Sequence, residues 1–282
     1  MKNLRGANAI LTGASRGLGV YIADALAAEG VNLVLAARSA AGLQDTLRAV
    51  EARGVRAIAV PCDVTSRDDL QRLIDTAERE LGPIDILINN AGVEATGTLI
   101  ELSFDEIDAV IRTNLSASIW LTKMVLPLMI TRRRGAVVNV SSMAGKFGVA
   151  YESIYCASKH GLNGFTDSIR AELDGTGVTI SAVCPTFVSG AGMWADAGAG
   201  KAPLLAREVS PQKVAAAVLK AVRGTPELLV TFGPIRPLVL LFELAPRLRT
   251  PVLKYMGVTR AWKRAADVRA KQREREAAGS RL

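Results

Sequence analysis

Histidine and cysteine are scarce in this chain of 282 residues. Because the chain has a single histidine, His160, a histidine-dependent hydrolase or a histidine-ligated metal centre is poorly supported. The three cysteines, Cys62, Cys156 and Cys184, lie far apart and form no CxxC pair. Reduced and mostly buried thiols therefore fit better than a disulfide framework or a zinc site, and no bound metal is expected.

Long apolar runs are missing from both ends of the chain. Residues 2–5 lead into a short apolar segment without the hydrophobic stretch of a secretory signal, so a cytoplasmic location is expected. The apolar segments at 233–246 and 251–257 are interrupted by prolines and are far below the roughly 20 residues of a membrane-spanning helix. No transmembrane helix is expected.

The net charge of +8 is concentrated near the end of the chain. Residues 1–232 carry 23 basic and 23 acidic side chains, whereas residues 233–282 carry 12 basic and 4 acidic ones. The basic excess therefore belongs to a C-terminal extension. Because the rest of the chain is neutral, no nucleic-acid partner is expected.

Short segments rich in valine and isoleucine alternate with longer segments of helical period as far as residue 232. The predicted strands are 8–11, 32–37, 57–61, 84–89, 136–140, 179–184 and 228–232. The predicted helices are 18–29, 41–53, 67–81, 104–131, 153–173 and 211–222. This alternation predicts one α/β domain at 1–232, a Rossmann-like doubly wound parallel sheet of about seven strands with helices on both faces. A glycine- and alanine-rich part of residues 186–210 predicts a mobile substrate loop, and a basic, partly apolar helical extension follows at 233–282.

The first strand runs into a glycine-rich turn, TGASRGLG at 12–19, that opens a helix. Glycines let the backbone approach a pyrophosphate, whose charge is favoured at a helix N-terminus. Such a turn alone is weak support, but its place between a strand and a helix favours dinucleotide binding. The spacing TGxxxGxG resembles that of the classical short-chain dehydrogenase/reductase (SDR) family.

The end of the second strand bears on the choice of coenzyme. Members of this family that prefer NAD usually have an aspartate where this chain has Ala37, and Arg38 follows, with Arg16 nearby in the glycine turn. Two guanidinium groups beside Ser39 suit a phosphate monoester, although both arginines could simply point into water. NADP(H) is therefore the expected cofactor.

Tyr155 and Lys159 are four residues apart on one face of a predicted helix. A fixed cation favours the phenolate and so lowers a tyrosine pKa from about 10 toward the neutral range. The YxxxK pattern is frequent by chance, but Ser142 ends a buried strand thirteen residues before Tyr155, and Asn114 interrupts an apolar helix. These four residues match the catalytic set of the family in order and spacing.

The resemblance covers about residues 6–232 and implies an NADP(H)-dependent carbonyl reductase or alcohol dehydrogenase. It implies hydride transfer between C4 of the nicotinamide and a carbonyl carbon, while Tyr155 exchanges a proton with the oxygen that Ser142 holds. Lys159 would bind the nicotinamide ribose, and Asn114 would anchor a water. The implied cofactor contacts are Gly13, Ser15, Arg16, Gly17, Leu18, Gly19, Arg38, Ser39, Asp63, Val64, Asn90, Ala91, Gly92, Tyr155, Lys159, Pro185 and Val188.

The chain departs from the family pattern after the sixth strand. The family usually continues Pro-Gly-x-Val-x-Thr, where the glycine passes the nicotinamide and the threonine meets its carboxamide. This chain has Thr186 in place of the glycine and Gly190 in place of the threonine. Ser189, one residue earlier, is a candidate replacement for the missing hydroxyl.

Two interpretations of the extension remain open. The favoured one has residues 238–244 packed over the substrate cleft or a neighbouring subunit. The other is a peripheral membrane contact, in which apolar side chains enter the interface while Arg236, Arg247 and Lys254 meet anionic lipid. Both place apolar surface near the active site, which favours a small hydrophobic substrate such as a steroid, a retinoid or a keto-lipid.

Three rival functions are less well supported. A non-catalytic NADP sensor or scaffold would not need an intact catalytic set. A nucleotide-sugar epimerase usually has a TGxxGxxG turn and a larger sugar-binding domain, and a basic nucleic-acid binder does not fit a neutral core. The resemblance also implies a homodimer or homotetramer that pairs through the helices holding Asn114 and Tyr155.

Overall fold

A computed structural model describes residues 2–198 and 200–279. Met1, Ala199 of the predicted substrate loop, and residues 280–282 of the extension lie outside the described residues. Seven parallel strands form one sheet in the order β3-β2-β1-β4-β5-β6-β7, which confirms the predicted doubly wound fold. The strands are β1 (Asn8–Thr12), β2 (Asn32–Ala37), β3 (Ala57–Pro61), β4 (Ile86–Asn89), β5 (Gly135–Val140), β6 (Val178–Pro185) and β7 (Glu227–Val230).

Helices cover both faces of the sheet, which is why its central strands are almost continuously apolar. One face packs against α1, α2 and α8, and the other packs against α3, α5 and part of α6. The strand order reverses between β1 and β4, and ligands of such sheets bind in the crevice at that point. The helices are α1 (Leu18–Ala28), α2 (Ala40–Glu51), α3 (Arg67–Glu80), α4 (Phe104–Ile111), α5 (Ala117–Thr131), α6 (Ser153–Glu172), α7 (Met193–Asp196) and α8 (Pro211–Val222).

The predicted single helix at 104–131 is wrong in its middle. A capping box of Ser103 and Glu106 starts α4, and a π-helical turn at Arg112–Ser116 then separates α4 from α5. Asn114 lies in that turn, fully buried, and its side chain bonds to the backbone of Val93. Wide turns of this kind are frequent at functional sites because they re-aim one side chain out of the helical register.

The extension folds back over the domain as three helices. These are α9 (Arg236–Leu244), α10 (Arg249–Tyr255) and α11 (Val258–Gly279). Phe242 of α9 is fully buried and meets the ring of Phe147 edge to face at 5.3 Å between centroids. Among the helices of the described residues, none has both the length and the apolar content needed to cross a bilayer.

The far end of α11 is fastened to the start of α4. Arg273 forms an ion pair with Glu106 at 2.9 Å and donates a hydrogen bond to the carbonyl of Thr96 at 3.3 Å. Glu106 accepts this pair on Oε1 while its Oε2 accepts from Ser103 in the capping box. The last long helix therefore runs across the molecule from the substrate side of the domain to α4.

Candidate active site

A cleft of about 840 Å³ opens at the carboxyl ends of the strands. Its wall combines the glycine turn, the ends of β2 to β6, the start of α6, the loop with α7 and the inner side of the extension. Nearly every sequence-predicted site residue lies on this wall. The exceptions are Gly19 and Asn114, which lie directly behind it.

The glycine turn has the shape that a pyrophosphate requires. Gly13 and Gly17 have positive φ angles of 68° and 59°, which favour glycine. A Cβ atom on Gly13 would lie 2.9 Å from Cα of Ala91, and one on Gly19 would lie 2.0 Å from the carbonyl oxygen of Gly13. Gly13 and Gly19 therefore serve the close packing of the turn, and Gly13 and Gly17 also line the cleft at the start of α1.

Side chains from two other loops hold the turn in place. The amide of Asn90 donates to the carbonyl oxygens of Thr12 and Gly13, and the hydroxyl of Thr12 accepts from the backbone N–H groups of Asn90 and Ala91. Behind them the Asn89 amide donates to Asn139 at 2.8 Å. This network fixes β4 against β1 and β5.

The predicted phosphate-binding residues gather at the outer end of the cleft. Arg16, Arg38 and Ser39 all lie on its wall together with Asp63 and Val64. Arg16 is strongly exposed and pairs with Asp196 of α7 at 3.0 Å. Because exposed ion pairs are weak, this contact leaves Arg16 able to turn toward an anion.

The predicted catalytic residues Ser142, Tyr155 and Lys159 come from two elements that meet in the cleft. Ser142 follows β5, and its hydroxyl accepts from the N–H of Ala144 at 3.1 Å. Tyr155 and Lys159 share one face of α6, with Nζ of Lys159 5.6 Å from the centre of the Tyr155 ring. Lys159 is buried and donates to the carbonyl of Val140 at 3.0 Å, so its position is fixed by β5.

Protein groups alone shift the titration of Tyr155 upward. Burial raises the pKa of the phenol, the charge of Glu94 acts in the same direction, and the hydrogen bond with Ser142 opposes both. Burial also lowers the pKa of Lys159 to about 8. The net shift of the Tyr155 pKa is thus opposite to the lowering expected from Lys159, because burial and the charge of Glu94 outweigh the hydrogen bond with Ser142.

Asn114 stands next to Lys159 behind Gly92. Its side-chain oxygen accepts from the N–H of Val93 at 2.8 Å, and its amide donates to Ser158 at 3.1 Å. A Cβ atom on Gly92 would lie 3.3 Å from the Asn114 oxygen and 3.8 Å from Nζ of Lys159. The two side chains therefore flank the same small space.

The segment after β6 differs from one sequence expectation. Pro185 and Val188 lie on the cleft wall as predicted, and so does Thr186. The hydroxyl of Ser189 instead donates to the carbonyl of Val209 at 3.3 Å. Ser189 is absent from the wall, so Thr186 rather than Ser189 offers a hydroxyl to the cleft in this segment.

The substrate side of the cleft is apolar and partly aromatic. Trp194 packs between Phe187 and Trp262, with ring centroids 4.6 Å and 5.2 Å apart. The wall also includes residues of the extension, namely Ile235, Leu238, Leu253, Met256, Val258 and Trp262. The expectation that the extension covers the cleft fits this arrangement.

Sequence reasoning missed Glu94, which lies on the cleft wall. Burial, followed by the charge of Asp196, raises the pKa of its carboxyl to about 7. Its place two residues after the predicted cofactor contact Gly92, in the loop at the carboxyl end of β4, could have singled it out.

Comparison with known proteins agrees with this site. The family model for short chain dehydrogenases matches residues 7–202. A ketoacyl reductase, HetN, of Nostoc sp. is 44% identical over 277 residues, which cover 96% of each chain. A 3-oxoacyl-[acyl-carrier-protein] reductase of Synechocystis sp. is 37% identical over 182 residues, covering 64% of this chain and 74% of that protein.

Two solved structures resemble the whole domain. A metagenomic short-chain oxidoreductase in complex with NADP is 34% identical, with a TM-score of 0.70 over 81% of this chain and 98% of that one. A variant of the actinorhodin polyketide ketoreductase with NADPH is 33% identical, with a TM-score of 0.71 over 80% and 95% of the two chains.

The chain therefore belongs to the short-chain dehydrogenase family. It is an oxidoreductase that acts on carbonyl or hydroxyl groups. The resemblance on which the sequence prediction rested is confirmed.

Proposed function

We propose that this protein is an NADPH-dependent ketoacyl reductase whose substrates carry an apolar chain. The observation that carries the proposal is the continuity of the cleft, in which Tyr155 and Ser142 lie between the glycine turn and an apolar wall built largely by the extension. The ketoacyl reductase relatives support the same reading, and HetN matches across the extension as well.

The coenzyme end of the cleft fits NADP(H). The open glycine turn can receive the pyrophosphate at the N-terminus of α1, and Ala37 brings no carboxylate to the end of β2. Arg38 and Arg16 can meet a phosphate on the adenosine ribose. Asp63 and Val64 would hold the adenine, and Pro185 and Val188 would flank the nicotinamide.

The side chains around the cleft supply the proton chemistry. When bound, NADPH supplies the hydride that reduces the carbonyl carbon. Tyr155 donates its phenolic proton to the carbonyl oxygen, and the hydroxyl of Ser142 holds that oxygen. Lys159 would hold the nicotinamide ribose, and Asn114 would anchor, in the space that the two side chains flank, a water that returns a proton from solvent.

Among steroids, retinoids and keto-lipids, the apolar wall favours keto-lipids. Phe187, Trp194 and Trp262 form a continuous aromatic surface beside the catalytic residues. Such a surface accepts an extended acyl chain, and the relatives favour keto-lipids over steroids and retinoids. Steroids and retinoids are the competing substrate classes.

The two parts of the chain have different proposed roles and different proposed partners. Residues 1–232 act as the catalytic domain, the loop at 186–210 admits substrate, and the extension that begins at residue 233 covers the cleft with its described residues. The outer side of α9 and α10 carries exposed Leu240, Leu244 and Tyr255, which favours a peripheral contact with the cytoplasmic face of a membrane. Homodimers or homotetramers would pair through α5 and α6.

A series of ketoacyl thioesters of increasing chain length tests the function. Each methylene buried in the cleft contributes about 0.8 kcal/mol, so kcat/KM with NADPH should rise up to about fourfold for each one added. Tyr155→Phe is the control, because it should retain NADPH binding and lose at least about a hundredfold in turnover. Turnover confined to steroids or retinoids would contradict the substrate class.

A non-catalytic NADP-binding sensor or scaffold is the alternative. It predicts NADPH binding without turnover of any ketone or alcohol. Equal behaviour of the unmodified protein and Tyr155→Phe in every assay would favour it.

A further inference from the structure

A hydrogen bond behind the aromatic part of the cleft wall fixes one of its three rings. The indole N–H of Trp194 donates to Oε1 of Glu208 at 3.2 Å, and the same oxygen accepts from the backbone N–H of Ala202 at 3.0 Å. Trp194 lies on the cleft wall, whereas Glu208 lies behind it. Glu208 therefore holds the ring from the side that faces away from the cleft.

The indole of Trp194 needs this partner because its other neighbours are apolar. Trp194 is 7% exposed, and its ring packs edge to face against Phe187 and Trp262. Ala261 of α11 is fully buried in the same cluster. A buried indole N–H that loses its acceptor costs free energy, so without Glu208 the ring is better placed turned toward water.

Contacts on both sides of Glu208 fix its position in the chain. The N–H of Val209 donates to the carbonyl of Phe187 at 2.9 Å, as part of a short parallel bridge between the two segments. On the other side, the guanidinium of Arg207 lies 4.5 Å from the centre of the Phe232 ring. The acceptor for the indole and the Phe187 ring that packs against it therefore stand on two paired segments.

The segment around α7 meets the extension at the same place. Trp194 of α7 contacts Trp262 of α11, with 5.2 Å between the ring centroids. A Cβ atom on Gly257, between α10 and α11, would lie 3.4 Å from Cβ of Pro203. The apolar wall is thus assembled jointly by the substrate loop and the extension, and Trp194 is the ring through which the two parts meet.

We propose that Glu208 is a positioning residue that holds Trp194 in the aromatic wall and thereby gives the cleft its preference for longer acyl chains. The inference rests on the proposed reductase function. Glu208 acts through Trp194, since its carboxyl lies behind the wall. A long acyl chain gains buried area from the ring, whereas the carbonyl end of every substrate meets the same predicted catalytic residues. Loss of the hydrogen bond therefore affects long chains more than short ones.

The kinetic experiment compares Glu208→Ala and Glu208→Gln over the series of ketoacyl thioesters. Glu208→Ala should lower kcat/KM for the longest thioesters by about fivefold, mainly through KM, and leave that for the shortest within about twofold. Glu208→Gln retains an oxygen that can accept both hydrogen bonds, so it should keep the profile of the unmodified protein. Glu243→Ala is the matched control, because Glu243 is an exposed glutamate on α9, and it should leave both ends of the series unchanged.

Trp194→Phe removes the same hydrogen bond from the other side. This variant retains an aromatic ring but lacks the N–H, so it should reproduce the loss at long chains, and adding Glu208→Ala should lower kcat/KM little further. A merely structural role of Glu208 predicts an equal loss at every chain length and fully additive losses in the double variant. Either of these results would overturn the proposal.

Tryptophan fluorescence tests the role of Glu208 without a substrate. The part of the emission that disappears in Trp194→Phe belongs to Trp194. In Glu208→Ala this part should move to longer wavelength and be quenched more strongly by acrylamide, because the ring turns toward water, and in Glu208→Gln it should stay as it is. Unchanged Trp194 emission in Glu208→Ala would show that Glu208 does not hold the ring. If no ketoacyl thioester is turned over, the proposed function is wrong, while the fluorescence still decides whether Glu208 positions Trp194.

Discussion

Arg38 is the residue at which coenzyme preference can be changed with least disturbance. It lies at the outer end of the cleft, next to Ser39, whose hydroxyl caps α2 by accepting from Gly42 at 3.1 Å. Arg38→Asp replaces a phosphate partner with a charge that repels phosphate and accepts from ribose hydroxyls. We expect the preference for NADPH over NADH to be lost or reversed, as measured by the ratio of their Kd values.

The control for this prediction is Arg48→Asp, an exposed arginine on α2 whose side chain pairs with Asp45. It changes the charge of the same region without touching the cleft, so it should leave the preference intact. Equal affinities of the unmodified protein for NADPH and NADH would contradict the assignment.

Individual site residues were predictable where their order along the chain carries the chemistry. Ser142, Tyr155 and Lys159 have fixed spacings because one strand end and one helix turn place them, and the structure brings them together. The position of Glu94 could have been noticed in the sequence, but its raised pKa could not have been predicted. That shift comes from burial and from the charge of Asp196, which no local spacing in the sequence expresses.

At the scale of elements, the attachment of α11 to α4 holds in place the helix that carries Val258 and Trp262 of the cleft wall. The ion pair of Arg273 and Glu106 is largely buried and is backed by the carbonyl of Thr96. Arg273→Ala should loosen α11 and raise KM for an apolar substrate by about fivefold, which corresponds to roughly 1 kcal/mol for such a pair. NADPH affinity should stay unchanged, because the cofactor end of the cleft is remote from this contact.

Arg275→Ala is the matched control, since Arg275 is an exposed arginine two residues further along the same helix. Steady-state kinetics on both variants provide the measurement. If both raise KM equally, general charge rather than the specific contact is responsible.

From residue 8 to residue 230 the strands and long helices were predicted in type and order, except that α4 and α5 were expected as one helix and that α7 lies in the segment expected to be a loop. Valine- and isoleucine-rich segments become central strands because both faces of the sheet are covered. The π-helical turn at Arg112–Ser116 was missed because apolar periodicity continues through it, and its cause is a tertiary hydrogen bond to Val93. The position of α11 could not be predicted from the sequence either, because it depends on an ion pair with Glu106, which is far away along the chain.

At the scale of the whole molecule, the proposed membrane contact through α9 and α10 can be tested with liposomes. Leu240, Leu244 and Tyr255 are exposed there, and Arg236 and Lys254 are exposed on the same two helices. The protein should sediment with anionic liposomes at low salt and be released as ionic strength rises, because screening shortens the reach of the basic side chains. Neutral liposomes should retain less of it.

Leu244→Asp should weaken this co-sedimentation, since it places a negative charge in the apolar contact. Ile100→Asp is the control, because Ile100 is 97% exposed but lies outside the extension. Truncation after Phe232 should abolish liposome binding and leave NADPH affinity intact. If the full chain shows no salt-sensitive binding to anionic liposomes, the extension has no membrane role and only covers the cleft.

The contact between Arg273 and Glu106 also bears on the order in which the parts of the cleft form during folding. The two residues are 167 positions apart, so the contact closes a very long loop and forms late in folding. During synthesis the sheet, the glycine turn and Tyr155 emerge well before α11 does. A nascent chain would therefore contain the predicted catalytic residues before the apolar wall that α11 completes, and the proposed selectivity of the cleft would depend on the docking of α11.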